Sequence, residues 1–324
     1  VESLGLLRYG SQRLEVELLS GAKKGQTFRA ANEIRAQMEL DKDFKPGDEA
    51  VVIVHPDDAP GSAMLVARDH YRLGYGWLLF GLLCLLLCIF GGWTGIKALL
   101  SFVVSCLVIW KGVIPLAMRG WPASWTIFGS VCLLTAIIVY LVAGATRKGW
   151  AAFLGSATGI FVGLGMAHLF GRLMKINGAT MPYVQTLLHS GYEFLNLQDI
   201  YIGGIILASS GAVMDLAMDI ASGIEEVARH NPTLPMRELV MSGIRIGRSV
   251  VGTMTTTLLL AYSGGYITLL MMFRTQGTPP ADFLNNAIVA SEVVKTLIGS
   301  FSLVLVAPCT ALVAGWVFKP RDGK

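Results

Sequence analysis

Apolar residues before residue 70 of this chain come in short alternating runs, and after residue 74 in long unbroken blocks. Arg13, Leu14, Glu15, Val16, Glu17 and Leu18 alternate with period two, as a half-buried strand does. The stretch 20–25 reads as a turn, and 26–29 can return as a second strand. Lys45, Pro46, Gly47 and Asp48 make another turn ahead of the apolar run 50–54; the polar stretch 57–61 interrupts that run, and 64–68 resumes it. About five short strands with Gly/Pro turns predict a small β-barrel-like extramembrane domain over residues 1–70, OB-like or SH3-like. It carries no aromatic platform and no basic stripe, so its reading is a structural or protein-contact module.

The later blocks are of spanning length, roughly 20 residues each. They predict an α-helical polytopic membrane protein with about seven transmembrane helices over 74–318, followed by a basic tail, 319–324. The expected spans are 77–92, 95–118, 125–143, 150–173, 200–224, 250–273 and 283–318. Tyr75 and Trp77 stand at the first as interface aromatics. Lys111 and Pro115 interrupt the second, Gly264 and Gly265 the sixth, and Pro308 the seventh, which is too long for one straight span. Residues 177–199 read equally as an interfacial or re-entrant helix and as a loop. Residues 236–248, with Arg237, Glu238, Arg245 and Arg248, read as an amphipathic surface helix leading into the sixth span.

Composition agrees with lipid as the solvent. Only 15% of residues are charged, against about 25% in soluble domains, and the mean hydropathy is +0.59. A net charge of +4, scattered between apolar blocks, suits membrane topology and gives no nucleic-acid patch. With the N-terminal domain outside, ten Lys and Arg fall in inner loops and tail against seven outside, favouring an outer N-terminus and an inner C-terminus. That orientation in a bacterial inner membrane calls for a signal or anchor upstream of Val1. The five cysteines lie in apolar segments and read as small buried residues.

Candidate chemistry concentrates between residues 199 and 273. Gly211, Asp215, Asp219, Ser222 and Glu226 fall four, four, three and four apart, on one face of the fifth span. Ionisable residues inside a membrane helix are expensive and mark function by default. Two carboxylates one turn apart repel, so at least one should hold a proton, or the pair should share a cation. Thr253, Thr256 and Thr257 of the sixth span can bond back to their own backbone or line an ion path. Glu292 and Lys295 should pair with each other or with the Asp215/Asp219 face if they lie within lipid. Arg248 reads as a headgroup contact, or as reaching Asp219 or Glu226 to gate. Gly155, Gly159 and Gly163 form a ridge that lets another helix approach closely and permits a homo-oligomer. No hydrolase or nucleotide signature, metal site or cofactor motif is visible, and an intramembrane aspartyl enzyme would need its two Asp on facing helices.

The run Gly211-Ala212-Val213-Met214-Asp215, then Asp219-Ile220-Ala221-Ser222, Ser242-Gly243, Ile246-Gly247-Arg248 and Gly252-Thr253-Met254-Thr255-Thr256-Thr257-Leu258, with Leu260-Ala261-Tyr262, resembles the YibE/F family of multispan bacterial membrane proteins. The resemblance covers most of the chain. The family pattern has Asp after the Arg and Asn within the Thr run; Ser249 and Thr256 stand there in this chain. The order of an Asp helix, acidic helix end, Pro turn, amphipathic helix and Thr-rich helix is also similar to the core of resistance-nodulation-division transporters and the translocase subunits SecD and SecF. That looser similarity implies proton coupling at Asp215. Two functions follow as expectations: a proton- or small-cation-coupled transporter or channel-like component, and a non-transporting scaffold whose N-terminal domain binds an envelope partner.

Overall fold

The structure is a computed structural model that describes residues 2–4, 7–37, 41–55 and 64–320. The turn expected at 57–61 and the end of the basic tail, 321–324, lie outside the described residues. The chain divides into two compact units, Val1–Leu86 and Leu87–Lys324.

The first unit holds five strands among the described residues: β1 (Glu2–Leu4), β2 (Leu7–Glu17), β3 (Thr27–Arg35), β4 (Ala50–Ile53) and β5 (Met64–His70). Their order is β1-β2-β3-β5-β4, with β3 and β5 parallel and every other pair antiparallel. The edge strands, of three and four residues, are not paired with one another, so the described strands form an open mixed sheet and not the expected barrel. Period-two patterning holds in β3, where Phe28, Ala30, Asn32 and Ile34 are buried and their neighbours are not. Phe28, Ala30, Leu65 and Ala67 pack with Leu18 and Phe44 into a small core. The buried Asn32 donates to the Lys42 carbonyl at 2.7 Å, and Gln12 donates to that of Phe44 at 2.6 Å. These bonds tie the segment before β4 down over the sheet.

Helix α1 (Leu73–Leu107) passes from the first unit into the second. It is broken at Gly92, whose φ of 50° and ψ of −127° are open to glycine and strained for other residues. The turn there is sharp: a Cβ on Gly95 would overlap the Leu87 carbonyl oxygen. A π-helical turn (Val108–Val113) and α2 (Ile114–Met118) continue to Arg119, with Lys111 in the π turn and Pro115 at the first turn of α2.

The second unit is a bundle of α3 (Ala123–Ala143), α4 (Arg147–Leu173), α6 (Leu197–His230), α7 (Met236–Gly264) and α10 (Ala287–Phe318), with short helices α5 (Val184–His189), α8 (Ile267–Thr275) and α9 (Pro280–Asn285) in the connections. Helix α6 is central and touches α3, α4, α7 and α10. Val213, Leu216, Ala217, Ile220, Ala221 and Ile224 along it are wholly buried. Five stretches are long and apolar enough to cross a membrane, and a sixth if α7 and α8, bent by 66° at Gly264–Gly265, count as one. The expected spans 77–92 and 95–118 fall within one 46-residue stretch, which is broken at Gly92 between them.

Two further expectations change. The surface helix at 236–248 is the first part of α7, which runs unbroken to Gly264. Gly243 and Gly247 hold that part in the bundle, because a Cβ on either would stand 2.9 Å from Ala311 or Ala307 of α10. Pro308 does not end α10, which continues through it to Phe318.

Candidate functional site

Close contacts set the helix registers. Gly163 meets Ser302, Gly159 meets Val306 and Gly155 meets Thr310, so α4 and α10 run antiparallel. Tyr201 donates its hydroxyl to the Ser291 carbonyl and Ser209 lies at Gly299, so α6 and α10 run parallel. Ser124 meets Asp199 and Ile127 meets Gly203, so α3 and α6 are parallel too. Ile246 meets Gly223 and Gly243 meets Ile224, so α7 is antiparallel to α6. The glycine ridge at 155, 159 and 163 is thus the seam between α4 and α10; a Cβ on Gly159 would stand 2.8 Å from that of Val306.

Asp215 and Asp219 stand 18 and 22 residues into α6, where the helix is apolar on either side. The parallel register brings α3 beside them through Ile138, Val139 and Val142, and the antiparallel register brings Met254 of α7. With Met214 and Met218 these residues line an open groove of about 390 Å³. Both carboxylates are exposed in it, on the outer flank of α6. No hydrogen bond or ion pair to either is found among the described residues. A charged carboxylate without a partner in a groove with apolar walls is costly.

The other expected residues do not join this groove. Thr253, Thr256 and Thr257 are exposed, and their hydroxyls donate to the carbonyls of Val250, Gly252 and Thr253 at 2.8, 3.0 and 3.0 Å. Residues 243, 247, 250 and 254 occupy the face of α7 that meets the bundle; Thr253 and Thr256 stand off that face, and Thr257, although seven residues on from Val250, is exposed. Thr255, between them, has a buried hydroxyl with no hydrogen-bond partner among the described residues. Glu292 and Lys295 pair with each other at 2.9 Å, and the Lys295 ammonium lies 5.7 Å from the centre of the Tyr262 ring. In the α6–α10 register Glu292 lies level with residue 202, about 20 Å along the axis from Asp215 at 1.5 Å per residue. Arg248 is exposed on α7 and forms no ion pair with Asp219 or Glu226 among the described residues; Glu226 pairs with Arg229 at 2.6 Å.

Two polar clusters were not legible in the sequence. Asp199 accepts from the Ser124 backbone N–H at 3.1 Å and from its hydroxyl at 2.5 Å, and His168 Nε2 lies 3.7 Å away. The carboxylate stands between the serine and the histidine, so the histidine cannot take the serine proton, and the trio does not form a nucleophilic triad. It caps the N-terminus of α3 instead, where negative charge is favoured. The second cluster joins Tyr201, Ser291 and Thr180, the last two hydroxyls 2.9 Å apart, at the same end of the bundle as Glu292 and Lys295. Contacts across 75 to 111 residues leave no local signal. Among the described residues, no three His, Cys, Asp or Glu side chains converge as a metal centre.

Residues 79–320 match the family model for YibE/F-like proteins, and residues 7–64 match that for the YibE/F family N-terminal domain. No curated protein and no solved structure matches the chain. The comparisons therefore do not extend to the resistance-nodulation-division transporters or to SecD and SecF.

Proposed function

We propose that this chain, which belongs to the YibE/F family, is a multi-pass membrane protein that carries a proton or small cation on the Asp215/Asp219 pair, as a coupled transporter or a channel-like component of one. The observation that supports this is the pair itself: two unpartnered carboxylates one turn apart in a groove with apolar walls, deep within a 34-residue helix. Such groups stay neutral or hold a cation, and exchange between those two states is what ion coupling requires.

The registers also support a bacterial inner-membrane orientation with the C-terminus inside. They bring the α3–α4 turn, the α6–α7 turn and the end of α10 to one end of the bundle. Arg147, Lys148, Arg229, Arg237 and Lys319 gather there, against Arg119, Arg172, Lys175 and Arg274 at the other end, in line with the positive-inside rule.

The scaffold reading has one observation in its favour. Val51, Ile53, Met64 and Val66 are exposed on neighbouring strands, with Ile53 directly opposite Val66, a small apolar patch suited to a partner protein. Ion and proton flux in proteoliposomes separates the two readings. Transport predicts flux in the wild type that Asp215→Asn/Asp219→Asn abolishes while the melting profile is kept. Absence of flux in a folded wild type across a broad panel of ions moves the function to the scaffold.

A further inference from the structure

The groove that holds the carboxylates is also rich in sulfur. Met214 and Met218 of α6 are one turn apart, each next to one of the aspartates, and Met254 reaches the same groove from α7. Five of its eight lining residues thus carry a donor atom, and the other three, from α3, are apolar. The three methionines are only partly buried: Met218 and Met254 rest on the edge of the hydrophobic core, and all three border the groove.

This donor set discriminates among cations. A hard ion such as Ca²⁺ takes six to eight oxygen ligands and Mg²⁺ needs a near-octahedral oxygen shell, neither of which two carboxylates in an apolar groove can supply. Zinc prefers histidine, thiolate and carboxylate, and no three such residues converge among the described ones. Thioethers select soft ions, and Cu(I) is the soft ion of biological supply.

From this convergence we propose that the groove of Met214, Asp215, Met218, Asp219 and Met254 is a binding site for a soft monovalent metal cation of the Cu(I)/Ag(I) class. The thioethers supply the soft ligands, and the Asp215 and Asp219 carboxylates beside them supply oxygen ligands. The inference rests on the reading of the aspartate pair as an ion-carrying site and names the class of ion that it takes.

The test uses the purified full chain in detergent with Ag(I) as the probe. Peroxide oxidises accessible methionines to sulfoxides, which peptide mass spectrometry assigns residue by residue. Ag(I) is expected to protect Met214, Met218 and Met254 and to leave Met271, which is 62% exposed on α8, as reactive as before. Met218→Leu/Met254→Leu keeps side-chain volume and should weaken Ag(I) binding at this site by about tenfold or more. Ions held by the five free cysteines are common to wild type and variant and cancel in the comparison. Equal protection of Met271 and the three groove methionines, or no protection of any, overturns the proposal without requiring a variant to fold. Proton flux that depends on Asp215, together with absent Ag(I) protection, removes the metal site and leaves the transport reading standing. Protection without flux of any ion removes transport and keeps the metal site.

Discussion

Asp199, on the first turn of α6, receives both the backbone N–H and the hydroxyl of Ser124, on the first turn of α3. One carboxylate thereby caps a second helix 75 residues earlier in the chain and sets the two parallel helices in register. Losing a cap costs about 0.5–2 kcal/mol, so Asp199→Ala should lower the thermal midpoint of the purified protein measurably. Ser124→Ala keeps the backbone bond and should cost less. Equal losses in the two variants would mean that the hydroxyl, and not the helix terminus, is what Asp199 serves.

The α4–α10 seam has no spare space. Gly159→Val would force its side chain into Val306, whose Cβ is already 2.8 Å from where a Cβ on residue 159 would stand. Overpacking of this kind costs about 1–3 kcal/mol. Gly165, with open space around it, serves as the control and should accept Ala with little change in melting temperature.

Tyr201 and Tyr262 should respond in opposite ways to loss of the hydroxyl. Tyr201 bonds to the Ser291 carbonyl, and Tyr201→Phe should destabilise by about 0.5–1.5 kcal/mol. The Tyr262 hydroxyl is buried without a hydrogen-bond partner, so Tyr262→Phe should be neutral or stabilising while preserving the ring beside Lys295. Thermal melting of the two variants side by side checks the contrast.

Glu292 and Lys295 form a self-contained pair, so removing one charge should harm more than removing both. Lys295→Met leaves Glu292 alone on α10, and Glu292→Gln/Lys295→Met should recover part of the stability lost. Because the pair is remote from Asp215, its effect should add to that of Asp215→Asn within about 0.5 kcal/mol. A larger deviation in the double-mutant cycle would reveal coupling between the two sites.

In the N-terminal unit, the hydrogen bond from Arg8 at 2.8 Å, and then the charge of that guanidinium, hold the Asp43 carboxyl below its ordinary range. A carboxyl with a depressed folded-state value adds stability above its unfolded value and loses it as pH falls through the folded one. The contribution should therefore be complete above about pH 5, begin to fall near pH 4, and be lost only as the pH drops through the lower folded-state value. The pair is exposed, so the effect is small and screened by salt. Acid titration of the β-sheet signal in wild type and Asp43→Asn should show the wild type losing more stability than the variant across that window at low salt.

The sequence by itself determined the membrane class, the long helices, the glycine ridge and the placement of Asp215 and Asp219 on one helix face. Each rests on a local period or on a block of apolar residues, and such signals need no knowledge of neighbours. It also contained the breaks at Gly92 and at Gly264–Gly265, because glycine acts on its own backbone. Only the tertiary structure decided what meets the carboxylates. Helix α7 brings Met254 to them and leaves Thr253, Thr256 and Thr257 exposed outside the groove, and Glu292 and Lys295 lie too far along the axis to join them. It alone brought Asp199 to Ser124 and Tyr201 to Ser291. Those meetings depend on the register between helices 75 to 90 residues apart, which is set by how glycines and side chains interlock across the bundle and leaves no trace in the period of any one helix.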